Sequence, residues 1–159
     1  MKNIKGAILM KKVLIATYSQ SGRTRAVADQ LASLISNADQ YLITVEDGTF
    51  SNDMYETDAI ATKQIQTGNF PELINAIPNV EDYDLILVGS PVWRGAPATP
   101  VHTFLKGVQG YKGRVATFYT DAGSAGDYEK NFKKWAGNLD VVSAHEGDRN
   151  LSQWVKQLS

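Results

Sequence analysis

The sequence predicts one small doubly wound α/β domain, a three-layer sandwich whose largely parallel, five-stranded sheet carries helices on both faces. Three observations predict it. The chain has 159 residues, enough for one domain with one hydrophobic core, and 43% of them are hydrophobic against 21% charged. Its apolar runs come in two kinds, short continuous stretches rich in β-branched residues and longer stretches with helical spacing. The two kinds alternate, which implies parallel strands joined by right-handed crossovers. In such sheets a ligand sits beyond the carboxyl ends of the strands, where the strand order reverses. The domain is expected over residues 11–159, after an extension at 1–10. Whether Met1 or Met10 starts the protein stays open.

The first strand is Lys12-Val13-Leu14-Ile15-Ala16-Thr17-Tyr18, an apolar run of the kind covered on both faces. A polar turn, Ser19-Gln20-Ser21-Gly22, ends it. Residues 23–35 have helical spacing, with Ala28, Leu31, Ala32 and Ile35 on one face. A second strand is expected at 40–45, closed by Glu46, Asp47 and Gly48. Asp53 with Glu56 three residues on resembles a capping box, so a helix is expected at 54–67, stopped by Gly68. Residues 70–80 hold two prolines and read as a long connection with room for a short helix. Residues 83–89 form the next strong strand, and 90–95 a loop. A helix begins near Pro97 or Pro100, with Val101, Phe104 and Leu105 facing inward. Residues 113–120 form another strand, followed by a loop from Asp121 to Gly126. A helix with Phe132, Trp135 and Leu139, a short strand at 141–144 and a helix at 151–158 complete the chain.

Composition excludes several chemistries. There is no cysteine, so disulfides, thiolate metal sites and cysteine nucleophiles are ruled out, which suits a reducing, cytoplasmic setting. A formal net charge of -1 makes nucleic acid an unsuitable partner. No apolar run is long enough to span a bilayer. The two histidines, His102 in a helix and His145 after the last strand, have no neighbouring partners and read as surface or packing residues, not metal ligands.

Three loops fall on one end of the sheet. The first, from Ser19 to Thr24, offers hydroxyls at Ser19, Ser21 and Thr24, the amide of Gln20 and a glycine, Gly22, at a helix start. A phosphate there would meet free backbone N–H groups. Arg23 and Arg25 either add positive potential or face solvent. The alternative is a plain polar helix cap. The second loop, Ser90-Pro91-Val92-Trp93-Arg94-Gly95, places a tryptophan beyond a buried strand, where its ring could cover a flat heterocycle. The alternative is packing over the sheet edge or in a subunit contact. The third loop carries Asp121, Gly123, Ser124, Gly126 and Tyr128. The glycines allow unusual dihedrals, Asp121 could accept from a ligand donor, and Tyr128 could touch the ligand or cap the next helix. The reading is a site for a phosphate-bearing cofactor.

Thr17-Tyr18-Ser19-Gln20-Ser21-Gly22-Arg23-Thr24 resembles the phosphate loop of the flavodoxin family. Ser90-Pro91-Val92-Trp93-Arg94-Gly95-Ala96-Pro97 resembles its second loop, in the branch with a Pro-Val-Trp signature, and residues 120–126 its third. The resemblance runs over about residues 11 to 158. It implies a sheet of order 2-1-3-4-5 and noncovalent FMN. It implies that Ser19, Gln20, Ser21, Gly22, Arg23 and Thr24 hold the phosphate. Pro91, Val92, Trp93, Arg94 and Gly95 would line the isoalloxazine, with Trp93 stacking, and Asp121, Gly123, Ser124 and Gly126 would close the other side.

Two departures stand out. Many flavodoxins have glycine directly after the aromatic of the second loop, and its peptide turns over to support the one-electron-reduced flavin. Here Arg94 follows Trp93, and a non-glycine residue accepts positive φ less readily. Electron-carrying flavodoxins are also strongly acidic, whereas this chain is almost neutral. Its acidic residues Glu46, Asp47, Asp121, Asp127, Glu146 and Asp148 nonetheless all follow expected strand ends. The expected function is an electron carrier between redox partner proteins, a monomer or weak dimer with no catalytic side chain. Alternatives are an NAD(P)H-dependent flavin or quinone reductase using a small donor or acceptor, and a non-redox interaction module.

Overall fold

Alternation of apolar and helical runs resolves into a sheet flanked by two helical layers. The computed structural model describes residues 12–159, so the expected extension at 1–10 lies outside the described residues. In chain order the elements are β1 (Val13–Thr17), α1 (Arg23–Leu34), β2 (Ala38–Leu42), α2 (Met54–Thr67), β3 (Leu85–Trp93), β4 (Ala96–Pro97), α3 (Thr99–Gly107), β5 (Arg114–Thr120), α4 (Tyr128–Ala136), β6 (Asp140–Glu146) and α5 (Leu151–Leu158). The strands pair in the order β2-β1-β3-β5-β6, all parallel, which is the expected 2-1-3-4-5 once the two-residue β4 is set aside. The strand order reverses at β1, whose neighbours are β2 and β3.

Every residue of β1 is buried because both of its faces are covered. Leu14 and Ala16 join Ile86, Val88, Val101, Phe104, Leu105 and Phe132 on the face of α2, α3 and α4. Val13 and Ile15 join Leu85, Leu87, Phe118 and the inward residues of α1 and α5 on the other. This is the period-2 consequence of a strand buried on both sides. Each fully buried Leu or Ile contributes about 1.5–3 kcal/mol relative to exposure. Gly89 is required where β3 passes β5. A Cβ there would fall 2.2 Å from the Phe118 ring, so the aromatic fills the space the glycine leaves.

Several boundaries differ from expectation. β2 starts and ends earlier than 40–45, because after Ile43 donates to the Thr17 carbonyl the chain turns to pair with the long connection, through Ile74 N–H to the Thr44 carbonyl at 2.9 Å. The connection itself holds no α-helix, only a 3-10 turn at Val80–Asp82. β3 continues through the expected second loop to Trp93, and β6 is longer than 141–144. Leu139 lies beyond α4, which Gly137 ends at φ 61°, yet it is buried in the same core. The capping box at α2 is half formed. Asp53 accepts from Tyr55 N–H at 2.8 Å, but Glu56 takes the Ser51 hydroxyl at 2.6 Å, and Ser51 Oγ in turn accepts from Asp53 N–H at 3.0 Å.

Candidate cofactor site

The carboxyl ends of β1, β3 and β5 bring the three sequence-predicted loops to one edge. The first loop closes on itself. Ser19 Oγ accepts from the N–H of Gly22 at 3.2 Å and of Arg25 at 3.1 Å, so this serine caps α1 from outside the helix. Gly22 makes the turn at φ 93°, a left-handed conformation that favours glycine. Ala26 N–H goes to the Gly22 carbonyl, while among the described residues the N–H groups of Arg23 and Thr24 have no protein acceptor. Helix starts leave such donors for caps, water or anions. The Gln20 side chain donates to the Ser51 carbonyl at 3.2 Å, Ser21 is exposed, and Thr24 is buried with its hydroxyl 2.7 Å from that of Thr120 on β5. Arg25 turns back to Asp29 at 3.5 Å. A cavity of about 360 Å³ opens beside this loop, lined by Thr17, Ser19, Gln20, Ser21, Gly22, Arg25 and the end of β2.

The second loop is a hairpin. Trp93 pairs with Ala96 and Val92 with Pro97, leaving Arg94 and Gly95 as a two-residue turn at φ 51° and 74°. Two positive values in a two-residue hairpin are the signature of a type I′ turn. Arg94 therefore adopts the conformation that glycine would favour. Its side chain is exposed and pairs with Asp58 of α2 at 3.3 Å. Pro91 and Val92 are half-buried near the end of β3. Ser90 Oγ accepts from Ala98 N–H at 2.9 Å, and Asn131 of α4 donates to the Gly95 carbonyl at 2.8 Å, so the hairpin is held on both flanks.

Trp93 is 9% exposed and belongs to the core cluster. Its indole meets Tyr18 edge-on at 5.7 Å and Phe50 at 4.9 Å, with interplanar angles of 85° and 73°. Burial pushes the Tyr18 hydroxyl up to about 12, so it stays protonated. Tyr18 and Phe50 were not among the sequence candidates. Tyr18 had a legible signal as an aromatic directly before the first loop; Phe50 stood in a stretch with no period.

In the third loop Asp121 Oδ1 accepts from Gly123 N–H at 2.8 Å, and Gly123 and Gly126 take φ 139° and 53°. Ser124 is exposed. A Cβ on Gly126 would lie 3.3 Å from Gly95 Cα, so the glycine permits close backbone contact between the second and third loops. Tyr128 corrects its reading. It is fully buried with its hydroxyl 2.8 Å from that of Thr117, so it neither reaches the site nor caps α4. The edge is acidic. Asp121 and Glu146 share a hydrogen bond that lowers the first carboxyl's pKa and raises the second's. The Tyr119 hydroxyl donates to Glu129 at 2.6 Å, and Glu46, Asp47, Asp127 and Asp148 are exposed around it. The histidines are packed: His102 stacks on Phe70 at 3.6 Å, and His145 on Trp154 at 5.0 Å. Among the described residues no helix is long and apolar enough to cross a membrane.

Residues 12–157 match the family model described as Flavodoxin. The fold is similar to a flavoprotein from Lactobacillus acidophilus NCFM solved in complex with FMN, with 40% identity and a TM-score of 0.86 over 92% of this chain and 99% of that one. An NMR structure of the apo-form of the flavoprotein from the same organism is 41% identical, with a TM-score of 0.74 over 91% and 97% of the two chains. Megasphaera elsdenii flavodoxin, at 14% identity and a TM-score of 0.51 over 87% and 88%, shares the fold. Comparison with curated proteins returned no match. The match along nearly the whole described chain, with the strand order and the three loops, places this chain in the flavodoxin family.

Proposed function

We propose that this chain binds FMN without a covalent bond at the carboxyl edge of its sheet and carries electrons between redox proteins. The observation that carries the reading is the first loop. N–H groups at the start of α1 that have no acceptor among the described residues, and the hydroxyls of Ser19 and Ser21, border one cavity, with Thr17 buried at its side. That donor set fits a phosphate. The 40%-identical flavoprotein in complex with FMN supports the choice of cofactor. The site residues would then act as follows. Ser19, Gln20, Ser21, Gly22, Arg23 and Thr24 hold the phosphate, and Pro91, Val92, Trp93, Arg94 and Gly95 form one wall for the ring. Asp121, Gly123, Ser124 and Gly126 form the other. When bound, FMN supplies the electron chemistry, and the protein supplies position and field. Arg94 leans to Asp58, so the acidic rim sets the field at this edge.

A second reading, an NAD(P)H-dependent reductase, is favoured by the Arg94–Gly95 turn, whose non-glycine first residue resists peptide reversal. Stepwise reduction of the purified protein separates the two. A carrier shows a flavin spectrum that takes electrons singly from a chemical donor and is left oxidised by NADPH alone. Direct bleaching by NADPH supports the reductase, and a colourless protein that refuses FMN sinks both.

A further inference from the structure

Thr17 ends β1, and it is the only polar residue in that strand. It is 1% exposed, and its side-chain hydroxyl has no hydrogen-bond partner among the described residues. Burying a hydroxyl unpaired is costly, and valine would fill nearly the same volume without that cost. Its backbone is already used, since its carbonyl accepts from Ile43 N–H at 2.8 Å. The hydroxyl therefore serves nothing in the strand. Thr17 lines the same cavity of about 360 Å³ as Ser19, Gln20, Ser21, Gly22 and Arg25. The other buried or capping hydroxyls nearby are engaged: Ser19 Oγ accepts two N–H groups, and Thr24 bonds to Thr120.

We propose that the Thr17 hydroxyl is a phosphate-positioning contact, donating directly or through one water to the FMN phosphate, and that it helps the site distinguish FMN from riboflavin. The proposal rests on the reading that the first loop holds the phosphate. Its logic is that of a site built to hydrogen-bond a group and left unpaired by the analogue that lacks it. Thr17 lies two residues before the loop, and its place in a buried strand hides its role in the sequence.

The test uses the full chain freed of flavin, titrated with FMN and with riboflavin and followed by flavin fluorescence, for the native protein, Thr17→Val and Thr17→Ser. Thr17→Val is expected to weaken FMN binding by about tenfold, the scale of one hydrogen bond to a charged group. Riboflavin binding is expected to stay as it was, and Thr17→Ser to recover most of the loss. The phosphorus resonance of bound FMN should shift in Thr17→Val. The flavin-free Thr17→Val protein should melt no lower than the native one, because an unpaired hydroxyl has gone. Equal losses for both flavins, an unchanged FMN preference, or failure of serine to rescue would overturn the assignment. If the native protein binds FMN and riboflavin alike, the phosphate reading of the loop fails first, and the role of Thr17 falls with it.

Discussion

Asp121 and Glu146 form a pair of carboxyl groups with one shared hydrogen bond at the edge of the site. The Glu146 bond is the main cause of the lowered Asp121 pKa, with Gly123 N–H adding to it, and the Asp121 bond is the main cause of the raised Glu146 pKa. Glu129 raises Glu146 further, while Arg23 lowers Asp121. The signs oppose each other. Asp121, with its folded pKa depressed, contributes stability that is present above its ordinary range and lost as pH falls through the depressed value. Glu146, with its folded pKa raised, contributes stability that is present below its ordinary range and lost as pH rises through the raised value. The pair is therefore most favourable in mild acid and strained by like charge at neutrality. Glu146→Gln keeps a donor toward Asp121 at every pH. Relative to the native protein, it should be more stable at about pH 7 than at about pH 4.5, read by urea unfolding at both. A difference that is flat with pH would show that the two carboxyl groups do not share a proton. Both groups are largely solvated, so the effect is small.

At the scale of elements, the hairpin of β3 and β4 matters most. A type I′ turn becomes type II′ when its central peptide turns over, and type II′ wants glycine at the first central position. Arg94 sits there at φ 51°, so its Cβ opposes the reversal. Arg94→Gly should leave stability within about 1 kcal/mol, since relief of a left-handed residue is offset by glycine's extra freedom and a lost exposed ion pair. It should raise the fraction of one-electron-reduced flavin during stepwise reduction, whereas Arg94→Ala, which loses the charge but keeps Cβ, should not. Equal behaviour of the two variants would assign the effect to charge instead. The elements also show what was legible in the sequence. β1, α1 and α5 are legible because burial on one or both faces leaves a clean period, as in Val13 to Ala16 or Ala28 and Leu31, whereas α2 buries only Thr57 and Ala61 and is legible from its ends, Asp53 and Gly68. β2 ends before the apolar run does, because it is an edge strand with exposed Asp39 and Gln40, while Ile43 and Val45, which look like its continuation, pack into the same core as Tyr41 after the chain has turned toward the long connection. The second loop was read as irregular because Pro91 and the Arg94–Gly95 pair resemble punctuation, whereas β3 runs through to Trp93 before turning. The clasp of Asn131 on Gly95 could not be read at all, since it depends on how α4 packs.

For the whole molecule, charge is distributed unevenly rather than in excess. The net charge is only -1, yet Glu46, Asp47, Asp121, Asp127, Glu146 and Asp148 gather at the edge that carries the site. Two of the nearby arginines are turned aside, Arg25 to Asp29 and Arg94 to Asp58, so the positive charge there is partly spent within α1 and α2. A local negative field steers encounters even when the total is near zero, and salt screens it, with a Debye length falling from about 30 Å at 0.01 M to about 8 Å at 0.15 M. If electrons leave through this edge, the reduced protein should pass them to a cationic acceptor at a rate that falls as salt rises. An anionic acceptor of the same size should be reduced at a rate that rises over the same range. Comparing the sign of the two salt dependences, instead of the two rates, removes the difference in driving force between acceptors. Neutralising Glu46 and Asp47 to amides should flatten both slopes without moving the flavin spectrum. Two slopes of the same sign, or none, would place electron exit away from the acidic rim and turn attention to a face of the molecule where charge is balanced.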